Sequence, residues 1–572
     1  MTTALSSAPA SSAPSPARPF PGRSIASWVG VFAFVAAVCY LVILPLVRLQ
    51  MKAFSGGARG YKLGYTDPQF AKTLGYTIGL AFGSLAIALV LGTLLAWAAT
   101  RLPRRLRILR VLPIFPIIVP AIASVVGWSF LFSPRPGYLN ALLRNLPWWS
   151  NLKEGPVDIY TLPWIVIITG FGLTAFVYLF VSAGFQNISS EHVEAAQISG
   201  SSQWGVFFKV TLPLLRPTLI YGGGVALLLG LGQFTGPLLL GRNSGIEVIT
   251  TDIYRQMSAS PIEYGAAAAL GSPLLLFGIL IVLVQKVLLG DQRRFVTHGG
   301  KAFKSEGRPS YFGAAGILAY SFIATVLPVI GLVIVSLSRF WSAKVDVQHF
   351  TLQSFRTIWN QSAITQAIFN SVTISLLAVA ICLPVGYIAS SLLLRGQRFG
   401  ILRTILDYVV SMPLGVPAVV FGAGFLLTYT KPPFVLYGTN WVIVLVYVTL
   451  MLPFAVRMQA SAMLALGNNY TEAARVSGSG AIKTSLKVEL PLMRSALGGA
   501  AALMFVLLTH EFAASLLVRA STTQVMGTIL YDYYSNGTYP LVAAIALIMT
   551  AVTAIGVTIA MVIGGSDALG GL

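Results

Sequence analysis

Apolar stretches long enough to cross a bilayer, about 20 residues each, recur twelve times along the chain. They fall at 28–49, 74–100, 108–133, 163–187, 218–240 and 264–289, and again at 311–338, 367–394, 402–429, 440–465, 496–520 and 540–564. The pattern predicts an all-α membrane protein with about 12 transmembrane helices. Several runs carry proline, among them Pro113, Pro116 and Pro120. Membrane helices tolerate such breaks because neighbours satisfy the freed backbone groups. Residues 1–27 are rich in Ala, Ser and Pro and predict a disordered tail. No small-residue cleavage site follows the first apolar run, so that run reads as a retained helix.

Composition sharpens this picture. Of 572 residues, 56% are apolar and only 10% charged, whereas a soluble domain carries about a quarter charged. The natural solvent of this chain is lipid. Its net charge of +21 reads as topology rather than nucleic-acid binding, because Lys and Arg mark cytoplasmic loops. With the N-terminus inside, the inside segments hold 23 of the 38 basic residues. Residues 101–110 (RLPRRLRILR) contain five Arg and no acid, while Asp67, Asp158, Glu247, Asp252 and Asp346 fall outside. Residues 48–73, outside on this reading, also carry five basic residues. Both termini are expected in the cytoplasm.

The two cysteines, Cys39 and Cys382, sit within apolar runs, and the four histidines, His192, His298, His349 and His510, are widely spaced. Neither set suggests a disulfide framework or a metal site.

The two sets of six runs are copies. Residues 194–217 (EAAQISGSSQWGVFFKVTLPLLRP) align without a gap to 472–495 (EAARVSGSGAIKTSLKVELPLMRS), identical at 12 of 24 positions, at an offset of 278. Pro116-Ile-Ile-Val-Pro120-Ala matches Pro413-Leu-Gly-Val-Pro417-Ala, and Gln233-Phe234 matches Glu511-Phe512. Six spans per half is an even number, so the repeats run parallel, related by an axis along the membrane normal. The expected division is a tail at 1–27, a first unit at 28–289, a basic cytoplasmic linker at 290–310 and a second unit at 311–572.

Each repeated loop joins the fourth and fifth spans of its half. Ser190 and Asn469 can cap a short helix, with Glu191, Glu194 and Glu472 near its positive end. Gly200 and Gly478 allow a turn. A second short helix runs to Pro213 and Pro491, which permit a break before the next span. Ala195-Ala196 and Ala473-Ala474 leave a face for close approach. A helix, a glycine turn and a helix at the membrane surface suit docking into a groove on another protein.

The pattern Glu-Ala-Ala, three residues, Gly, nine residues, an aliphatic, one residue, Leu-Pro resembles the signature loop of permease subunits of binding-protein-dependent ABC importers. It occurs at Glu194–Pro213 and Glu472–Pro491, with Val210 and Val488 where the family often has Ile. The resemblance covers nearly everything after residue 28 and implies a type I importer fold with two fused permease domains. It implies that the loops around Glu194, Ala195, Ala196, Gly200, Pro213 and Glu472, Ala473, Ala474, Gly478, Pro491 insert into two copies of an ATPase subunit, and that an external solute-binding protein delivers the cargo. The chain has no phosphate-binding loop: Gly300-Lys301 is followed by Ala302, not the required Ser or Thr. ATP and magnesium are therefore expected on the partner, with no cofactor and no catalytic residue in this chain.

Glu511 and His510 fall inside the eleventh run, and Gln233 occupies the position matching Glu511. An acid in mid-membrane is costly and should face a wet cavity or a partner. Gln233, His510 and Glu511 are candidates for the translocation path, with Gln233 and Glu511 facing each other across the axis; interhelical glue is the other reading. The layout most resembles ferric iron permeases, with thiamine, aminoethylphosphonate and polyamine permeases similar. An ion-coupled secondary transporter would need more titratable groups at the midplane.

Overall fold

The computed structural model describes residues 21–186, 188, 190–289, 310–467 and 469–564. Most of the expected tail and nearly all of the expected linker lie outside these residues. The first helix already begins at Pro21 and runs to Tyr65, so residues 21–27 are helical rather than part of a tail. It is interrupted at Ser55–Ala58, where Gly56, Gly57 and Ala58 adopt positive φ.

Among the described residues the fold is all-α. Eight helices are long and apolar enough to cross a membrane, or twelve if each of four bent pairs counts as one span. These bent pairs are where the structure departs from twelve plain helices. Arg104–Ile117, a 3₁₀ stretch, meets Ala121–Phe132 at 92°, and Gln397–Gly415 meets Ala418–Tyr429 at 112°. Both breaks fall at a matched proline, Pro120 and Pro417, each extended with ψ near 140°. Proline lacks the donor that would continue the helix and biases the residue before it away from the α region. The other two bends, 71° and 73°, open the fifth span of each half.

The first span of each half crosses to the other half. A Cβ at Gly127 would stand 2.3 Å from the Pro328 carbonyl oxygen, and one at Gly424 would stand 2.7 Å from that of Pro45. These two crossings are mates under the pseudo-two-fold. Backbones this close permit only glycine, the close-packing device of membrane helices. Gly278 and Gly415 form a third such approach, at 2.0 Å from the Gly415 carbonyl oxygen.

At the end of the bundle away from the repeated loops lie two short matched helices, Ile249–Ser258 and Met526–Ser535. Their first amides donate to hydroxyls on long spans, Ile249 N to Thr77 Oγ1 at 2.9 Å and Met526 N to Ser371 Oγ at 2.7 Å. Their hydrophobic stripes are too short to stand out as membrane runs, which is why the twelve-run pattern passes over them.

Candidate coupling elbows and central path

The two repeated loops fold alike. Ser190–Ile198 and Asn469–Val476 are short helices with Glu191 and Glu472 in their first turns. Gly200 and Gly478 follow at φ +82° and +80°. The turn hydrogen bonds match one for one. Ser201 N donates to Ala196 O at 3.0 Å and Gly200 N to Gln197 O at 2.9 Å; Ser479 N donates to Ala474 O at 2.9 Å and Gly478 N to Arg475 O at 3.0 Å. This is a Schellman ending, which places a left-handed residue after the helix and so selects glycine. The second short helices, Gln203–Val206 and Ala481–Thr484, each run into a π-helical turn, Phe207–Thr211 and Ser485–Glu489. Pro213 and Pro491 then sit in the last turn before the 71° and 73° bends.

Glu194, Ala195, Glu472 and Ala473 are exposed at the elbow tips, and Ala196 and Ala474 are half-buried. Beside them stand Ile198, 88% exposed, and Val476, 90% exposed. The sequence reading passed over this aliphatic pair. Its signal was present, because both copies keep a branched aliphatic two residues before the glycine, where a solvated loop has no need of one.

The fifth spans, Arg216–Leu231 and Arg494–Thr509, rise from the elbows. Sixteen residues at 1.5 Å each carry the chain about 24 Å. There Phe234 meets Phe512, its repeat mate, with ring centroids 5.6 Å apart. Tyr254 meets Tyr531, also mates, at 6.3 Å. Within each half Phe234 packs on Tyr254 at 5.8 Å and Phe512 on Tyr531 at 5.7 Å. Four rings from two halves thus close on one another at the pseudo-two-fold. Beyond them Arg242 Nη1 reaches across to donate to the Tyr531 hydroxyl at 3.2 Å. Arg519 forms a two-pronged pair with Asp532 at 2.6 and 2.7 Å. Nearby, burial pushes the Asp252 carboxyl up from its usual range while Arg255, 2.6 Å away, pulls it down.

The polar residues next to these rings are placed differently from the sequence expectation. The hydrogen bonds of the Glu511 carboxylate stay within its own segment. Its Oε1 accepts from Ala514 N at 2.7 Å, and its Oε2 from Ser515 N at 2.9 Å and Ser515 Oγ at 2.5 Å. The carboxylate thereby caps the helix Ala513–Val518, and the acid's membrane partner is its own backbone. His510 Nε2 lies 2.8 Å from Thr553 Oγ1. Gln233 is half-buried, and its backbone carbonyl accepts from Thr250 Oγ1. What meets at the axis is the aromatic residue one position further on in each half.

A duplicated, multi-pass helical bundle with a surface elbow in each copy defines a membrane transport component. The family model described as "binding-protein-dependent transport system inner membrane component" matches residues 88–294 and again 382–565. The chain belongs to this family, and is a multi-pass inner-membrane permease subunit of an ABC importer rather than an enzyme. It is 22% identical over 545 residues to the ferric transport system permease protein FbpB of Actinobacillus pleuropneumoniae, covering 91% of this chain and 76% of that one. It is 27% identical over 264 residues to the sulfate transport system permease protein CysT of Escherichia coli, covering 46% of this chain and 92% of that one. It is 26% identical over 275 residues to the osmoprotective compounds uptake permease protein GgtC of a Synechocystis strain, covering 45% and 93%.

Proposed function

We propose that the chain forms the whole transmembrane pathway of an ATP-driven importer, with units at 28–289 and 311–572 joined by a cytoplasmic linker at 290–310. The elbows, and both termini, face the cytoplasm. Each elbow inserts into one of two ATPase subunits, presenting Glu194, Ala195, Ala196 and Ile198 or Glu472, Ala473, Ala474 and Val476. Gly200, Pro213, Gly478 and Pro491 fix the shape of these inserts. ATP and magnesium belong to the ATPase. An external binding protein delivers the solute to the opposite end, where the four rings close the path. Gln233, His510 and Glu511 border it immediately below. The observation that carries this reading is the matched pair of elbows, equal in turn geometry and both tipped by an exposed aliphatic that needs a cover.

Ferric iron is the cargo we favour, because the ferric permease relative aligns across both halves, whereas the sulfate and osmoprotectant relatives match about half of the chain. Proteoliposomes holding the chain, its ATPase and its binding protein should accumulate radiolabelled ferric iron only with ATP in the ATPase compartment. Uptake of radiolabelled sulfate instead would overturn the cargo. Uptake driven by an ion gradient without ATP would overturn the importer reading.

A further inference from the structure

The two elbows look alike at their tips but are fastened to the bundle by different chemistry. Glu489 ends the π-helical turn of the second elbow and is 2% exposed. Its Oε1 accepts from Arg395 Nη1 at 2.6 Å, and its Oε2 from the Tyr387 hydroxyl at 2.5 Å. Both partners lie on Ser362–Arg395, a long span of the same half. In the repeated loop this position falls between the aliphatic Val488 and Leu490-Pro491, and the first copy has Thr211 there. The first elbow is held instead by stacking. Arg101 lies 4.0 Å over the Trp97 ring and donates to Gln203 Oε1 at 3.0 Å. Trp97 packs on Trp204 at 4.8 Å and Phe207 at 4.5 Å.

These fastenings respond differently to displacement. A buried carboxylate held by two hydrogen bonds, one from a guanidinium, is directional and stiff. Separating it from the guanidinium would strand a charge away from water. Ring faces tolerate offset-stacked and tilted arrangements alike, so the first elbow can slide while keeping its ring contacts, with only the exposed Arg101–Gln203 hydrogen bond to exchange for water.

We infer that Glu489, Arg395 and Tyr387 form a latch that makes the second elbow and the span Ser362–Arg395 move as one body, so that the two ATPase subunits drive the path through unequal linkages. The three are positioning residues, and the inference rests on the elbow reading above. The π-helical turn is the element that aims Glu489 inward, in keeping with the frequent occurrence of such turns at functional sites.

The test is the number of solute molecules taken up per ATP hydrolysed by the reconstituted complex, using radiolabelled ferric iron or, if the wild type carries it instead, sulfate. Glu489→Gln keeps the shape and removes the charge. It should lower the ratio by about fivefold or more, with the ATPase still co-purifying. Tyr387→Phe, which removes one of the two bonds, should give an intermediate loss. Exchanging the charges, Glu489→Arg with Arg395→Glu, should recover most of the ratio. An unchanged ratio in an assembled Glu489→Gln complex overturns the latch. If that variant does not assemble, the exchanged pair decides: coupled uptake supports the latch, and failure to assemble marks the pair as structural only and overturns it. The elbow reading fails separately, if Ile198→Glu together with Val476→Glu leaves the ATPase bound.

Discussion

Glu511 shows how far a single residue can be read from sequence and where the reading stops. An acid inside an apolar run demands a partner, and that much follows from the sequence alone. The identity of the partner does not, because it depends on the helix breaking at residues 510–512 so that the first amides of the next helix point at the carboxylate. Replacing Glu511 with Ala removes that cap and strands both amides, costing about 0.5–2 kcal/mol. Glu511→Gln keeps an acceptor oxygen and removes the charge. The expected outcome is a lower thermal midpoint for the alanine variant than for the glutamine variant, measured by thermal unfolding of the detergent-solubilised protein. Equal midpoints would show that the cap contributes nothing. His510 is similar: its mid-span position was legible, but its bond to Thr553 joins segments 43 residues apart and has no local signature.

The elements divide by whether their signal is local. Long spans, the duplicated elbows and the turn glycines at 200 and 478 were all visible, since each follows from a run of apolar residues or a left-handed backbone position. The sharp breaks at Pro120 and Pro417 were marked by their prolines, although apolar length alone suggested continuous spans. The crossing of each first span into the opposite half has no such mark, because Pro45 and Gly424, or Gly127 and Pro328, are hundreds of residues apart and share no motif. These crossings nonetheless bring backbone of one half against backbone of the other. A side chain at Gly127 or Gly424 must displace a backbone carbonyl, and forcing atoms into a packed site costs typically about 1–3 kcal/mol. Gly127→Leu and Gly424→Leu should each reduce the yield of monodisperse protein on size exclusion. Leucine at Gly172, where a Cβ would meet nothing within 4 Å, should not. Equal yields at all three positions would show that the close approach carries no weight.

At the scale of the whole molecule, two six-span units become one transporter only if something between them opens and closes. The offset of 278 and the parallel sense of the repeat were legible, and together they require an axis between the halves. What occupies that axis was not, because attention falls on the charged residues of a membrane span and the rings beside them look like ordinary apolar core. Phe234 and Phe512 are repeat mates in contact, as are Tyr254 and Tyr531, so both pairs span the boundary between the halves. On the importer reading proposed above these rings close the path, and apolar constrictions block ions by excluding water. Phe234→Ala combined with Phe512→Ala leaves a gap where two rings met, while the hydrogen bond from Arg242 to Tyr531 remains beyond it. Proteoliposomes carrying the double variant should lose an imposed potassium diffusion potential without ATP, and those carrying the wild type should hold it. Monodispersity and continued co-purification of the ATPase exclude unfolding as the source of the leak. A double variant that holds the potential as well as the wild type would move the closure away from the rings, to a part of the path nearer the elbows.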